Sequence, residues 1–340
     1  MTMKALVSHG PLQMAYEDWA EPDLPPGHVL VEVDSCGICG SDLHPYRGMP
    51  SRRPNPGVWG HEFSGTVVAA GIGADATLVG STVAVQPLIS CGRCPQCQAG
   101  HTNVCANAVL IGGPLPGGFA QRVVVPERNA FVLPAGLGLA TASLAETLAT
   151  PVHVFENNVR GLLRSVLVIG AGPQGLLCTQ LARLVGAPLI VVADVMPARL
   201  DMARQMGATH IVNSREADAL ETVHELTAGQ GVDLVIEAAG QSASRQQAIA
   251  AARRAGTVVF LATGREATPI DFTGFVPREV HLRGTQCYTD ADFSLALALL
   301  ASGEVEVASM VTELPLSQGA EAFDRLVNDP GALIKVTLRA

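Results

Sequence analysis

Apolar and polar positions follow two different regimes along this chain. In the first part, short valine-rich runs alternate with polar residues and turns, as at residues 28–33 (H-V-L-V-E-V) and 65–69 (G-T-V-V-A), with little helical periodicity. That alternation predicts a separate β-rich domain. Further on the runs become almost continuously apolar, at residues 165–169, 188–193, 209–213, Val232–Glu237 and 256–261, with a helix-like stretch after each. Alternating buried strands and helices predict a parallel, doubly wound α/β sheet. After Tyr288, residues 293–301 (F-S-L-A-L-A-L-L-A) read as an apolar helix and residues 334–338 (I-K-V-T-L) as a closing strand.

The length of 340 residues with 48% hydrophobic content suffices for a large core and predicts two domains. The net charge of −9 is spread along the chain without a Lys/Arg cluster, which argues against a nucleic-acid partner. Gly, Pro or charges interrupt every apolar run short of the roughly 20 residues a membrane span requires, so no membrane partner is expected. The start M-T-M-K-A-L-V lacks the features of a secretory signal, and a cytoplasmic location with reduced thiols is expected.

Chemistry enters with the run C-G-R-C-P-Q-C-Q-A-G-H-T-N-V-C. It holds Cys91, Cys94, Cys97 and Cys105 at the spacing of a closed, structural zinc site. Four unrelated cysteines or two disulfides are the alternatives. The second signal is S-V-L-V-I-G-A-G-P-Q-G, an apolar strand entering a glycine turn and then a helix. Gly170 permits the tight turn, Gly172 lets the backbone approach a pyrophosphate, and Gly175 lets the helix pack on the strand, with Pro173 and Gln174 opening the helix. Asp194 ends the next strand about 20 residues past the last glycine, placed to accept both ribose hydroxyls of NAD and to repel the 2′-phosphate of NADP. Arg199 either stacks on the adenine or pairs with surface acids. The small residues around Ala239 end a strand where the nicotinamide half of the cofactor would lie.

Two polar islands interrupt the β-rich part: C-G-I-C-G-S-D-L-H, residues 36–44, and G-H-E-F-S-G, residues 60–65. Cys39, His61 and a carboxylate would make a mixed S, N, O zinc site with an open, catalytic position. Taken with the four-cysteine run and the glycine turn, in this order, the chain resembles the zinc-dependent medium-chain alcohol and polyol dehydrogenases over nearly its whole length.

The resemblance implies a GroES-like catalytic domain over 1–149, an NAD-binding Rossmann domain over 150–287, and a segment 288–340 returning to the first. It implies that Cys39 and His61 hold the catalytic zinc, joined by Glu62 as ligand or supporting residue. Residues 144–153 resemble the polyol branch's E-P-L-x-x-x-x-H, so Glu146 takes the remaining position, on the metal or one water away. This chain departs from the pattern at Thr147, which replaces a proline, and at Cys287, which stands where sorbitol dehydrogenases carry an arginine. Sorbitol itself is therefore not the expected substrate. Ser41 would accept the substrate proton and pass it toward His44, while Asp42 orients the loop or a ligand, or caps a helix.

The expected reaction is hydride transfer between a secondary alcohol (a polyol, sugar alcohol or diol) and NAD. A threonine-type amino alcohol and a non-catalytic nucleotide-binding protein are the alternatives. Tyr46, Trp59 and Phe119 are candidates for pocket wall or core, and Tyr288 for pocket wall. Arg47, Arg52 and Arg53 either bind the phosphate of a phosphorylated sugar or only water, and are read as solvated. Cys36 and Cys178 are read as packed thiols. A homodimer or homotetramer is expected, paired through residues 258–262 as an edge strand.

Overall fold

The computed structural model describes residues 1–264 and 266–340. It divides into one unit of Met1–Ala149 with Tyr288–Ala340 and another of Thr150–Cys287. Among the described residues, no helix is long and apolar enough to cross a membrane.

The first unit is built on a seven-stranded sheet. Its central strand, His28–Ile38, pairs antiparallel with Glu62–Ala70, Arg122–Pro126 and the closing strand Lys335–Arg339. The sequence pattern placed this strand at 28–33. It runs on to Ile38: Val29, Val31 and Val33 face the core at alternate positions, and beyond a register shift at Val33–Ser35 the core positions are Cys36 and Ile38. The register sets Gly37 opposite Glu62 and, on its other side, Thr337. A side chain on Gly37 would collide with the Glu62 carboxylate and press on Lys335, so only glycine fits there. Tyr46, Trp59 and Phe119 all lie in the core, with Tyr46 and Phe119 flanking Phe323 at 5.2 and 5.8 Å between ring centroids. They are packing residues, not pocket walls.

The second unit holds six parallel strands in the order His210–Asn213, Leu189–Asp194, Ser165–Ile169, Val232–Glu237, Ala252–Phe260, His281–Gly284. Numbered along the chain this is 3-2-1-4-5-6, the doubly wound order of the Rossmann fold. Its core joins Leu167, Val191, Val235 and Val258 from four adjacent strands. The strand holding residues 258–260 is flanked on both sides, so it is not the edge expected from its sequence. His281–Gly284 closes the sheet instead, short and polar as edge strands tend to be.

Candidate active site and metal centres

The four cysteines of the 91–105 loop converge, with their sulfurs all within 4.8 Å of one another. Cys94 Sγ lies 3.5 Å from Cys97 Sγ and 3.8 Å from Cys105 Sγ. Zinc–sulfur bonds of about 2.3 Å in a tetrahedron put the sulfurs about 3.8 Å apart, so the cluster has the size of a thiolate cage. Backbone N–H groups of Arg93 and Cys94 lower the Cys91 thiol to about 6. Burial and the neighbouring Cys94 sulfur push Cys97 up to about 11. Crowded thiols of this kind call for a cation at their centre, and the donor set fits zinc.

The second cluster is Cys39, His61 and Glu62, whose ligand atoms also lie within 4.8 Å of one another. Cys39 caps the helix Gly40–Tyr46, and Asp42 Oδ2 accepts the Cys39 N–H at 2.8 Å. His61 follows Gly60, whose φ of +93° and closeness to Cys36 and Phe119 leave no room for a side chain. The ring sits between two oxygens at 3.5 Å, Asp42 Oδ1 beside Nδ1 and Ser41 Oγ beside Nε2. Asp42 thus acts in both expected ways, capping the turn and facing a candidate ligand. His44 is half-buried in the last turn of the same helix.

Charge around this cluster is balanced by groups that the motifs did not reveal. Burial pushes the Asp42 carboxyl up, but Arg53 and His61 outweigh it and hold the group well below the usual carboxylate range. Glu62 is completely buried. It accepts from Thr147 Oγ1 at 2.9 Å on Oε1 and from Lys335 Nζ on Oε2. Lys335 also donates to the Ile38 carbonyl at 3.1 Å. A lone lysine inside an apolar closing strand was the signal that could have found it. Thr147, noted only as a departure from proline, supplies a donor that proline lacks.

Glu146 stands outside the ligand cluster and accepts from Tyr288 Oη at 2.8 Å. Burial, followed by the nearby Glu62 carboxylate, raises its pKa. Tyr288 is itself buried, so its expected place on a pocket wall gives way to this contact. Arg47 and Arg52 are exposed, as expected, but Arg53 is not: its side chain is 7% exposed against Asp42.

In the Rossmann unit, Gly170 has a φ of +100°, and its Cα faces the backbone of Ala238 and Ala239. A Cβ on Gly175 would strike the Gly170 carbonyl, whereas one on Gly172 would meet nothing within 4 Å. That gap at the start of the helix Pro173–Leu184 is the space a pyrophosphate needs. Asp194 accepts from the Ala171 N–H at 2.7 Å and the Met196 N–H at 2.9 Å, which fixes its carboxylate beside the turn. Glu237 Oε1 accepts from the N–H groups of Ala239 and Gly240 at 2.9 and 2.7 Å and from Ser244 Oγ at 2.7 Å. It is the buried anchor of the Ala239 loop. Arg199, in the first turn of Pro197–Gln205, makes no ion pair with an acid among the described residues, so the surface-pairing reading is not seen.

These positions separate two substitutions. Gly175→Ala should lower the thermal midpoint of the cofactor-free protein, at a cost of about 1–3 kcal/mol for overpacking. Gly172→Ala should leave that midpoint unchanged and weaken dinucleotide binding, measured by titration calorimetry. Equal midpoints for the two variants would refute the packing argument.

Comparison with known proteins agrees with this geometry. Residues 25–135 match the alcohol dehydrogenase GroES-like domain, and residues 173–302 match the zinc-binding dehydrogenase family. The chain is 33% identical to sorbitol dehydrogenase of Bacillus subtilis (strain 168), over 98% of this chain and 96% of that protein. It is 32% identical to D-arabitol-phosphate dehydrogenase of Enterococcus avium, over 100% of this chain and 98% of that one. A zinc-binding dehydrogenase from Sinorhizobium meliloti 1021, solved bound to NADP, superposes with a TM-score of 0.91 at 33% identity, covering 100% of both chains. Two converging ligand clusters, a Rossmann sheet in its usual strand order and this similarity along the whole length place the chain in the zinc-dependent medium-chain alcohol and polyol dehydrogenase family, as an oxidoreductase.

Proposed function

We propose that the protein is an NAD-dependent dehydrogenase of a secondary alcohol, a polyol, sugar alcohol or diol. The observation that carries this reading is the convergence of Cys39, His61 and Glu62 beside the Ser41 hydroxyl. Cys39, His61 and Glu62, with Glu146 on the metal or one water away, would hold one zinc, and Cys91, Cys94, Cys97 and Cys105 another. Bound catalytic zinc supplies Lewis acidity that lowers the pKa of an alcohol, and bound nicotinamide supplies a hydride acceptor. Ser41 takes the alcohol proton while giving up its own, and His44 exchanges a proton with solvent. Asp42 keeps the His61 ring oriented.

Gly170, Gly172, Pro173, Gln174 and Gly175 cradle the pyrophosphate, Asp194 accepts the ribose hydroxyls, Arg199 lies against the adenine side, and Ala239 lines the nicotinamide side. The Asp194 carboxylate supports NAD, since a 2′-phosphate beside it would bring like charges together. Such juxtaposition costs several kcal/mol, which corresponds to a preference of about a hundredfold or more. Arg199, which makes no ion pair among the described residues, and the NADP-bound relative favour NADP, so the coenzyme is part of the test. The outer edge of His281–Gly284 supports assembly as a homodimer or homotetramer.

The deciding experiment follows reduced-coenzyme absorbance with zinc-loaded protein, NAD or NADP, and a panel of polyols, diols, sugar phosphates and amino alcohols. Turnover of a polyol or diol with NAD is the expected result. Turnover with NADP alone would overturn the role given to Asp194, and amino-alcohol turnover alone would overturn the substrate class.

A further inference from the structure

Arg53 lies in the loop P-S-R-R-P-N-P between the helix Gly40–Tyr46 and the strand Gly57–Val58, and no motif marks it. Its guanidinium nevertheless has three buried or site-bound neighbours. Nη1 donates to Asp42 Oδ1, Nη2 lies 3.4 Å from Ser41 Oγ, and the charge sits 5.2 Å from the centre of the Trp59 ring. Asp42 is fully buried, and Trp59 is 1% exposed. The carboxylate held by Arg53 is the one that accepts the Cys39 N–H and faces the His61 ring. One cation therefore touches the hydroxyl expected to move the proton and the group that orients two candidate metal ligands.

We propose that Arg53 is a positioning residue that sets the hydrogen-bond direction of the Ser41 hydroxyl and locks Asp42 against Cys39 and His61. The first half rests on the role given to Ser41 above. A guanidinium has donors only, so Ser41 Oγ must accept from it. That uses one of the two lone pairs on the oxygen. The other faces the incoming alcohol proton, and the serine's own hydrogen is left to point onward. As the alcohol O–H breaks and a new O–H forms on Ser41, the original Ser41 hydrogen leaves toward His44, which passes a proton to solvent, so the serine is neutral before and after. With Arg53 gone, the hydroxyl rotor is free to aim its hydrogen at the substrate oxygen, the wrong polarity for taking a proton. The planar fork is what allows both contacts at once. A lysine is a single charge that can hold Asp42 but not reach Ser41 in the same geometry. Two of its five N–H donors are thereby committed, one to Asp42 and one to Ser41, while its charge rests on the Trp59 ring.

The test compares Arg53→Lys, Arg53→Met and Ser41→Ala, singly and with Ser41→Ala placed in the Arg53→Lys background. Arg53→Lys is expected to keep the thiolate-to-cobalt absorption of the cobalt-substituted protein and the KM for NAD. Its kcat should fall about ten- to a hundredfold with a larger solvent deuterium isotope effect, within the span of a misdirected proton transfer. Ser41→Ala should then cost much less in the Arg53→Lys background than alone. Wild-type kcat and isotope effect in Arg53→Lys, or an undiminished Ser41→Ala effect, would overturn the Ser41 half.

The second half has its own readout. Arg53→Met, which leaves Asp42 without its cation, should weaken cobalt retention against a chelator at least tenfold. Unchanged retention and spectrum would overturn it. If Arg53→Met does not fold, cobalt retention in Arg53→Gln decides, with at least a tenfold loss expected and wild-type retention contrary. Should the wild type turn over no alcohol, the functional reading fails while the cobalt measurement still decides how Arg53 acts on Asp42.

Discussion

Lys335→Met is expected to destabilise the protein by about 3–5 kcal/mol, because it strands a buried carboxylate. Lys335 and Glu62 have side chains 2% and 0% exposed, and no solvent can replace the missing cation. The pair itself contributes less than this, since both charges were taken out of water to make it. A double variant, Lys335→Met with Glu62→Gln, should therefore regain most of the loss. The urea-unfolding midpoint of each protein checks this. A single variant within about 0.5 kcal/mol of wild type, the range of neutral surface changes, would show that Lys335 is not what offsets the Glu62 charge. The pair also has a pH signature. Burial pulls the Lys335 pKa down, but Glu62 and then Cys39 outweigh it, and the net shift is upward. A raised folded-state value means that the contribution is fully present below the unfolded lysine value of about 10.4 and is lost as pH rises through the folded value. The alkaline limb of the stability profile should flatten in the double variant.

Cys39→Ala is expected to lower kcat/KM by about a thousandfold or more. Removing a ligand from a Lewis-acid site forfeits several kcal/mol of barrier lowering, at 1.36 kcal/mol per tenfold in rate. Metal analysis of the same variant should show loss of the catalytic zinc with the four-cysteine zinc retained, since the two clusters share no residue. Full activity in Cys39→Ala would end the zinc mechanism. Loss of both metals would mean instead that the two sites fold as one.

The parts of the site that could be read from sequence are those whose geometry is local. Four cysteines within one loop, or three glycines around one turn, must be close in sequence to do their work, and their spacing records it. Partners brought together by the sheet leave no such record. Thr147 is 85 positions from Glu62, Tyr288 is 142 from Glu146, and Lys335 is 273 from Glu62. Arg53 is only 11 residues from Asp42, yet its loop has no period, and an arginine among prolines reads as solvated until the Trp59 wall is seen. The misplaced sheet edge has a similar origin. An apolar run such as V-V-F suits an edge or an interior strand, whereas the true edge, H-L-R-G, is too short and polar to stand out.

The pairing of Lys335–Arg339 with His28–Ile38 has a consequence for how the protein is made. A chain leaves the ribosome N-terminus first, at about 5–20 residues per second. Cys39, His61 and Glu62 therefore emerge many seconds before the strand that carries the counter-ion of Glu62. In a nascent chain that has not reached residue 335 the sheet lacks its closing strand, and the Glu62 carboxylate lacks the Lys335 ammonium. The surroundings of Glu62 are thus completed only once Lys335–Arg339 has been made and paired, and deleting that strand should leave a protein whose early-made half never matures.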